Sequence, residues 1–471
     1  MGLRLFNTLS RQTEVFEPLD AEGKSVSLYC CGPTVHDFAH IGNFRTFVLT
    51  DLLCRYLRFL GYEVTYVMNV TDVEDKIIAR VREARATLKD YTTEFEGAFF
   101  EDMDALGCVR PDKVPHATEY VSAIIELILK LVEKGIAYIT VDGSVYFSIK
   151  KYQSLGCVYG QLTKLDFEQM RPGERVSNDK YEKDAIADFA LWKARVPEDG
   201  EVFWPSPWGE GRPGWHIECS AMSMKLLGPS FDLHLGGEDL VFPHHEDEIA
   251  QSEGAGLQKA GGKFVRYWVH GAHLLVEGKK MSKSLGNFFT LRDLMDRGFT
   301  GREVRFVLTS AHYRETFNFT LDGLRGGKSA LNRIDECVGK LSELAREVTA
   351  EPSATFLDAF REALDDDLNV SLGWSVVFDW VREMNRHLSE GGMTSEAAAA
   401  NLAAWKRVDA VLGVGSGATS EVLAEVTALM EERQVARKVR DFQRADAIRD
   451  ELLAAGWTIE DTPKGPRVKR A

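Results

Sequence analysis

The strongest constraint on the fold is a strand, turn, helix and strand pattern close to the N-terminus. Residues 26–31 form a short apolar run bounded by turn residues, residues 42–60 follow helical spacing, and residues 63–68 alternate as a strand does. Such a unit connects two parallel strands by a right-handed crossover. The pattern therefore predicts an α/β fold built on a doubly wound, Rossmann-like parallel sheet, to which residues 231–235 add a further strand.

The rest of the chain divides into segments of different character. An apolar helix near Ile124 is followed by loop-rich, charged sequence, which indicates an insertion. Beyond about Phe299 we expect strands to stop and helices to dominate, and a glycine-rich stretch at 413–417 indicates a linker. We therefore predict a Rossmann-like domain of residues 1–115 and 201–250, an inserted connective region of residues 116–200, a linking domain of residues 251–310, an α-helical bundle of residues 311–411 and a small α+β C-terminal unit of residues 418–471.

The C-terminal unit combines an apolar stripe with basic residues. The stripe is predicted to mark one face of a single helix and consists of Val435, Val439, Phe442, Ala445, Ile448 and Leu452. A solvated helix surface and an RNA contact explain the basic residues equally well. Because the formal net charge of the whole chain is −15, any contact with a polyanion must be confined to local basic patches.

The cysteines and the hydropathy pattern indicate the cellular compartment in which the protein is expected. The seven cysteines are scattered and odd in number, which favours free thiols or metal ligands in a reducing compartment over a disulfide framework. Residues 1–10 lack a signal-peptide pattern, and the longest apolar stretch is interrupted by Glu126 and Lys130. We therefore expect a cytoplasmic protein without a membrane-spanning segment.

The turn after the first strand has the features of a phosphate site. His40, Gly42 and Asn43 lie where that strand gives way to the predicted helix. Backbone N–H groups and the positive end of a helix favour anions, imidazole groups donate hydrogen bonds to phosphate oxygens, and a glycine permits close approach of a flat base. Taken alone this pattern is weak, because a single histidine is more often structural.

A lysine-rich loop strengthens the nucleotide interpretation. Lys280-Met281-Ser282-Lys283-Ser284 lies between a predicted strand at residues 273–276 and a helix starting near Thr290. Two lysines and two hydroxyl groups can fold over a triphosphate and neutralise the charge of phosphoryl attack. Together the two elements resemble the paired nucleotide signatures of class I aminoacyl-tRNA synthetases. The resemblance implies catalytic roles for His40, Asn43, Lys280 and Lys283, and ATP binding by these four with Gly42, Met281, Ser282 and Ser284.

Residues from three parts of the chain offer ligands for a metal ion. Cys31 ends the first strand, Cys219 lies in a Trp-His-Ile-Glu-Cys run, and a later acidic run contains His244, His245 and Glu248. On a helix His244 and Glu248 share a face, and His245 is expected to point elsewhere. Two thiolates, an imidazole and a carboxylate suit tetrahedral zinc. From spacing alone, unrelated buried cysteines and a solvated acidic helix explain the same residues.

The residues around these candidates resemble the cysteinyl-tRNA synthetases over nearly the whole chain. The matching stretches are residues 31–35, 69–72, 75–77, 102–106, 214–221, 236–237, 239–240, 242–248 and 365–367. The resemblance implies one zinc ion held by Cys31, Cys219, His244 and Glu248, and a cysteine pocket lined by Gly32, Thr34, Thr71, Trp215, His234 and Asp239. This chain departs from the family pattern at Asn43, where the class has histidine, and at Val468, near a usual tryptophan.

The resemblance implies a two-step, ATP-dependent reaction. L-cysteine and magnesium-bound ATP form cysteinyl-adenylate, and the terminal adenosine of tRNA(Cys) then accepts the cysteinyl group while the C-terminal unit binds the anticodon. The zinc ion would select the substrate thiol, because zinc with soft ligands binds a hydroxyl group poorly. Discrimination of this kind needs no editing domain. We further expect the chain to act as a monomer.

Two other functions remain open at this stage. A zinc-dependent ligase of mycothiol synthesis, which joins cysteine to an amino sugar, would share the fold, the zinc pocket and the adenylation step. Such relatives lack a full anticodon-reading C-terminus, whereas residues 446–452 and 459–463 of this chain resemble the synthetase ending. The second alternative is a non-catalytic zinc-containing RNA-binding protein, which the intact lysine loop disfavours.

Overall fold

The computed structural model divides the chain into two compact units, Met1–Val414 and Gly415–Ala471, which are described separately below. The structure describes residues 2–163, 188–259, 262–282, 285–346, 348–415, 420–439, 441–455, 457–462 and 465–470. Of the predicted linker, Ser416 and Gly417 lie outside these ranges.

The strands are short and are distributed over both units. In chain order they are β1 (Arg4–Asn7), β2 (Gln12–Val15), β3 (Ser25–Cys30), β4 (Glu63–Met68), β5 (Ala137–Ile139), β6 (Val145–Phe147), β7 (Phe189–Ala194), β8 (Gly211–Pro213), β9 (Phe231–Gly237), β10 (Val265–Gly271), β11 (Leu274–Val276), β12 (Lys279–Lys280), β13 (Phe317–Phe319), β14 (Trp457–Thr462) and β15 (Gly465–Arg470).

Helices connect the strands and fill the second half of the chain. They are α1 (Ile41–Phe59), α2 (Asp75–Ala84), α3 (Leu88–Ala105), α4 (Val121–Glu133), α5 (Ile149–Ser154), α6 (Trp215–Leu227), α7 (Glu246–Ala255), α8 (Leu291–Met295), α9 (Gly301–Leu308), α10 (Leu321–Ala345), α11 (Ala354–Asp365), α12 (Val370–Ser389), α13 (Ser395–Leu412), α14 (Ser420–Lys438) and α15 (Phe442–Ala454). No helix in the described part of the chain is both long and apolar enough to span a membrane.

The first unit contains a four-stranded parallel sheet with the order β10, β9, β3, β4. Leu28 and Cys30 pack with α1 on one face, whereas Tyr29 and Cys31 pack with α6 and α7 on the other. The predicted parallel sheet is therefore confirmed, and helices cover both of its faces. The carboxyl ends of the strands meet at one edge, which is where such sheets bind their ligands.

Helix α1 forms the crossover from β3 to β4 and carries the first nucleotide signature at its start. Apolar side chains such as Phe44, Leu53 and Leu57 are fully buried against the sheet. The helix ends at Phe59, and Gly61 then takes a φ of 95°, a left-handed conformation that glycine adopts at low cost. The predicted end of the helix at this glycine is therefore confirmed.

The inserted region is more regular than expected. Strands β5 to β8 form an antiparallel sheet in chain order, and its fourth strand, β8, lies beyond residue 200. Side chains of α4, including Ile124, Ile128 and Leu131, pack in one core with Phe147 and Trp192 of this sheet. Three of its four strands have only three residues, which is too short for an alternating pattern to stand out from loop sequence.

The expectation that strands stop near Phe299 is wrong. Strand β13 pairs in parallel with β11 and completes a three-stranded sheet in the order β12, β11, β13. It was not predicted because a strand of three residues shows little alternation within a helix-rich part of the sequence. The helical bundle follows as predicted: α10 to α13 bury a common core in which Trp380 stacks on Phe356 at 4.7 Å and on Trp405 at 5.7 Å.

In the C-terminal unit, α14 and α15 precede the antiparallel pair β14 and β15. The prediction of one continuous apolar face is wrong, because the helix breaks between Lys438 and Phe442, and the Asp441 side chain caps α15. Ala445, Ile448 and Leu452 are buried, whereas the other stripe residues, Val435, Val439 and Phe442, are 58%, 70% and 61% exposed.

Candidate active site and metal centre

Four side chains from distant parts of the chain meet at the carboxyl edge of the parallel sheet. Cys31 Sγ lies 3.8 Å from Cys219 Sγ, 3.5 Å from His244 Nε2 and 3.7 Å from Glu248 Oε1. His244 Nε2 and Glu248 Oε1 are 3.1 Å apart. All four residues are buried, and their ligand atoms lie within 4.8 Å of one another. The structure thus brings together the four residues predicted as metal ligands.

These separations agree with those expected around one tetrahedral zinc ion. Bonds of ~2.3 Å to sulfur and ~2.0–2.1 Å to nitrogen at tetrahedral angles place two sulfur atoms ~3.8 Å apart and a sulfur ~3.6 Å from a nitrogen. The observed sulfur–sulfur and sulfur–nitrogen distances are 3.8 Å and 3.5 Å. The donor set of two thiols, an imidazole and a carboxylate also suits zinc.

Each ligand is placed by a different element of the fold. Cys31 directly follows β3, and Cys219 lies in the second turn of α6. The backbone at Phe242 is extended, and His244 lies in the helical segment that begins after it and leads into α7. Because the chain is helical from there onward, His244 and Glu248 lie four positions apart on one face, as predicted.

The charges in the cluster are arranged to receive a cation. A hydrogen bond with Cys31 lowers the pKa of Cys219 to about 6, against the effect of burial. Burial disfavours a charge on His244, but hydrogen bonds with Cys219 and Glu248 raise its pKa to about 10. Burial also disfavours ionised Glu248, whereas the neighbouring His234 and His244 lower its pKa to about 2. A metal cation would therefore replace the proton of His244 as the positive charge between the acidic ligands.

The expectation that His245 points away from this cluster is wrong. Its Nε2 lies 3.4 Å from Cys31 Sγ and 4.0 Å from Glu248 Oε1. The reason is that His245 precedes the first residue of α7 and stands three positions before Glu248, a spacing that also places two side chains on one helix face. Cys31, His234, His245 and Glu248 form a second group whose ligand atoms lie within 4.8 Å of one another.

Two further histidines orient the side chains of the first group. His216 Nδ1 lies 2.8 Å from His244 Nδ1, and His216 Nε2 lies 3.4 Å from a carboxylate oxygen of Asp247. On the other side His234 Nε2 lies 3.0 Å from Glu248 Oε2. Such outer partners fix the rotamers of metal ligands and leave the inner atoms directed at the ion. The role of His216 was missed in the sequence, where its only signal is its position three residues before Cys219.

Three of the residues predicted to line the cysteine pocket, Gly32, Thr34 and Thr71, lie on two backbone segments that meet next to Cys31. The backbone segments of Thr34 and Thr71 are joined side by side, with the Thr71 N–H donating to Pro33 O at 3.0 Å and the Val35 N–H donating to Thr71 O at 3.2 Å. A side chain at Gly32 is excluded, since a Cβ there would lie 1.6 Å from Asn69 O. This close approach explains why a glycine follows the ligand Cys31.

The other predicted pocket residues have different surroundings. The Trp215 ring is centred 4.7 Å from the His244 ring, so it flanks the candidate metal centre. Asp239 lies in a short helical turn, Glu238–Leu240, at the exposed end of β9. His234 is fully buried and contacts Glu248. The geometry therefore places His234 behind the cluster as a partner of Glu248.

Asn69 joins the pocket to the cluster and was missed as a functional candidate. Its Oδ1 accepts the Gly32 N–H at 2.9 Å and lies 3.7 Å from Cys219 Sγ, while its Nδ2 donates to Thr71 Oγ1 at 3.3 Å. The available signal was its position directly after β4, at the carboxyl edge of a parallel sheet.

The first nucleotide signature forms the cap of helix α1. The Asn43 N–H donates to His40 Nδ1 at 3.2 Å, and the His40 N–H donates to Asn43 Oδ1 at 3.1 Å, which closes a capping box. Because a backbone N–H can only donate, Nδ1 of His40 must accept, and the ring proton therefore lies on Nε2. His40 thus presents an N–H group beside a helix N-terminus, an arrangement that favours phosphate oxygens.

The lysine loop contacts this helix start directly. Lys280 ends β12 and is exposed, and Met281 and Ser282 are half-buried, whereas Lys283 and Ser284 lie outside the described residues. The ε-methyl group of Met281 lies against Gly42, where an added Cβ would approach it to 2.6 Å. Past the loop, the Ile41 N–H donates to Phe289 O at 3.0 Å. The structure thus brings the described residues of both nucleotide signatures together.

Comparisons with known proteins cover the entire site. The family model described as tRNA synthetases class I (C) catalytic domain matches residues 16–329, the DALR domain matches residues 359–415, and the cysteinyl-tRNA ligase anticodon binding domain matches residues 419–468. A cysteine–tRNA ligase of Chlamydia pneumoniae is 49% identical over 99% of this chain and 98% of its own. The corresponding protein of Protochlamydia amoebophila is 43% identical over 99% of this chain and 98% of its own.

Solved structures with low sequence identity share the fold. A methionyl-tRNA synthetase of Mycobacterium tuberculosis in complex with methionyl-adenylate has a TM-score of 0.58 at 14% identity, covering 83% of this chain and 90% of that one. A leucyl-tRNA synthetase of Agrobacterium radiobacter in a ternary complex has a TM-score of 0.59 at 12% identity, covering 85% of this chain and 84% of that one. At these identities the likeness concerns the architecture.

Proposed function

The chain belongs to the cysteinyl-tRNA synthetase family of class I aminoacyl-tRNA synthetases, and we propose that it selects its amino acid through one zinc ion held by Cys31, Cys219, His244 and Glu248. Its reaction is the ATP-dependent activation of L-cysteine to cysteinyl-adenylate, followed by transfer of the cysteinyl group to tRNA(Cys). ATP acts with Mg²⁺ in the first step.

The interatomic distances of the cluster are the observation that carries the zinc proposal. The Sγ atoms of Cys31 and Cys219 are 3.8 Å apart, the separation of two thiolates on one tetrahedral ion. The alternative group with His234 and His245 offers one sulfur instead of two and is the weaker zinc site. In addition, His234 is already engaged with Glu248 at 3.0 Å, as an outer partner would be.

The chemistry that zinc supplies when bound is selection of the substrate thiol. Zinc with sulfur ligands stabilises a thiolate, binds the hydroxyl group of serine poorly and finds no ligand in the methyl group of alanine. The protein residues do the rest of the recognition. Gly32 allows the Asn69 backbone to approach next to Cys31, Trp215 flanks His244, and Asn69 fixes Gly32 and Thr71 by hydrogen bonds. We propose that Thr34, Thr71 and Asp239 complete the cysteine pocket, and that His234 supports it from behind by holding Glu248.

The nucleotide residues have a separate role. We propose that His40 donates its Nε2–H group to a phosphate oxygen of ATP, because its Nδ1 is held by the Asn43 N–H. Asn43 closes the capping box in place of the class histidine and keeps the helix start in the geometry that binds phosphate. Lys280 and Lys283 would neutralise the charge that develops on the leaving pyrophosphate. Gly42, Met281, Ser282 and Ser284 would complete the ATP site.

Transfer to tRNA distinguishes this function from its nearest alternative. The C-terminal residues 419–468 match an anticodon-binding domain, which an enzyme acting on an amino sugar does not require. The catalytic-domain match also speaks against a non-catalytic RNA-binding protein. We further propose that the chain works as a monomer in the cytoplasm, where a reducing environment keeps Cys31 and Cys219 available as thiolates.

A two-stage assay tests the function. The purified protein is first assayed for exchange of pyrophosphate into ATP with cysteine, serine or alanine, and then for charging of tRNA(Cys) or of an amino sugar. We expect exchange only with cysteine and charging only of the tRNA. Exchange with serine at a comparable rate would refute selection by zinc, and acylation of the amino sugar would favour the alternative ligase.

A further inference from the structure

The base of the lysine loop is held closed by one buried amide. Asn287 Oδ1 accepts the Ser282 N–H at 2.9 Å, and Asn287 Nδ2 donates to Lys280 O at 3.2 Å and to Val276 O at 3.3 Å. The residue is only 8% exposed. One side chain therefore connects the strand before the loop with the residues that begin it.

An amide is required at this position for a simple reason. It offers an acceptor and a donor from the same planar group, and here each meets backbone groups of the opposite kind. A carboxylate would place an oxygen against the carbonyl groups of Lys280 and Val276. An apolar side chain would leave one N–H group and two carbonyl groups without this partner, which is costly where water is excluded.

The residues that Asn287 holds also contact the first nucleotide signature. Met281 lies between Lys280 and Ser282, and its ε-methyl group packs against Gly42. On the far side of the loop Phe289 O accepts the Ile41 N–H at 3.0 Å, and Thr290 is paired with His40. Asn287 therefore stands between two contacts that connect the loop to the start of α1.

We propose that Asn287 is a positioning residue for adenylate formation, holding the backbone at Lys280 and Ser282 in register with His40 and Gly42. It does not touch the reacting atoms itself. This inference rests on the proposed role of the lysine loop in ATP binding. Once pyrophosphate has left, the loop has no polyphosphate to hold, so the later transfer of the cysteinyl group to tRNA does not depend on Asn287.

The test compares two variants of Asn287 with a matched control on the neighbouring strand β13. Asn287→Asp keeps the shape of the side chain but replaces the N–H donor by an oxygen, and Asn287→Ala removes both the donor and the acceptor. Asn318→Ala is the control, because Asn318 Oδ1 accepts the Gly278 N–H at 2.7 Å from an exposed position and so holds the turn between β11 and β12, not Lys280 or Ser282. Each full-length protein is assayed for the single-turnover rate of adenylate formation, for KM of ATP, and for transfer from preformed enzyme-bound adenylate to tRNA.

We expect both Asn287 variants to slow adenylate formation by at least ~10-fold, the scale of losing one buried hydrogen-bonding group. Transfer from preformed adenylate should stay within ~2-fold of the wild type, and Asn318→Ala should leave both steps intact. An equal loss in both steps, or wild-type adenylate formation in Asn287→Ala, would overturn the inference. A wild-type protein that forms no adenylate would instead refute the proposed function, so the two failures are distinguishable.

Discussion

The sulfur atoms of Cys31 and Cys219 lie 3.8 Å apart although 188 positions separate the two residues in the chain. A disulfide bond would bring the sulfur atoms to ~2.05 Å, whereas two thiolates on one tetrahedral zinc ion stand ~3.8 Å apart. The end of β3 and the second turn of α6 are therefore placed for shared coordination. This relationship leads to the first prediction.

Replacing one thiol should remove metal and selectivity together. Cys219→Ser is expected to lower the zinc content from one equivalent to well below half, and to weaken discrimination of cysteine from serine by at least ~10-fold, because the oxygen is a poorer zinc ligand. Metal analysis and amino-acid-dependent pyrophosphate exchange measure the two effects. Cys157→Ser, at a half-buried cysteine outside the cluster, is the matched control. Full zinc content in Cys219→Ser would contradict the assignment.

The individual positions of Lys280 and Lys283 should matter for adenylate formation more than the total positive charge of the segment. Lys280→Ala and Lys283→Ala are each expected to reduce cysteine-dependent pyrophosphate exchange by at least ~100-fold, the scale of losing one preorganised charge at a transition state. Lys279→Ala removes an adjacent exposed charge from the same strand and should change the rate by less than ~3-fold. Similar rate losses in all three variants would show that the total positive charge of the segment, and not the position of each lysine, determines the rate.

The C-terminal unit should be needed for only one of the two steps. The first unit ends at Val414 and contains the parallel sheet, the metal cluster and the described nucleotide residues. A protein truncated after Gly417 is therefore expected to form adenylate at a rate within ~2-fold of the full chain. Its kcat/KM for charging tRNA(Cys) should fall by at least ~100-fold, because the anticodon contacts are lost. An unchanged kcat/KM for charging would contradict the proposal that residues 418–471 bind the anticodon.

Removing one partner of a buried ion pair should strongly destabilise the first unit. Asp51 on α1 and Arg305 on α9 are both fully buried and hydrogen-bonded to each other. Asp51→Asn is expected to destabilise the protein by about 3–5 kcal/mol, because it leaves Arg305 buried without its counter-charge. Urea unfolding measures the change. Arg325→Ala, which breaks an exposed pair with Asp322, should cost no more than about 1 kcal/mol. An equal loss of unfolding free energy in the two variants would contradict the expected difference between a buried and an exposed ion pair.

The parallel sheet was predictable because its signals are local. Buried strands such as β3 and β4 and the amphipathic α1 are recognised from the hydrophobic pattern of a few neighbouring residues, and the crossover rule then fixes their arrangement. The short strand β13 and the helix break before Phe442 were not predicted, because neither has a clear local pattern of its own. Three residues carry too little pattern, and an apolar period can run across a turn that a single capping residue, Asp441, produces.

The site was predictable only in part. His40 and Lys280 lie in contiguous signatures, whereas the pairing of Cys31 with Cys219 came from the family resemblance, since no spacing connects residues so far apart. His245 was misassigned because the start of α7 could not be placed to one residue. Asn69, His216 and Asn287 were missed because their roles are hydrogen bonds to residues of other elements or to backbone groups, which only the folded chain defines.

X-ray absorption at the zinc edge tests the central claim most directly. The protein is measured without substrate and then with saturating cysteine, with serine as the control ligand. The account predicts a first shell of two sulfur and two nitrogen or oxygen neighbours without cysteine, supplied by Cys31, Cys219, His244 and Glu248, and a third sulfur neighbour when cysteine is added. A sulfur count of two in both states, or a protein that contains no stoichiometric zinc, would contradict it.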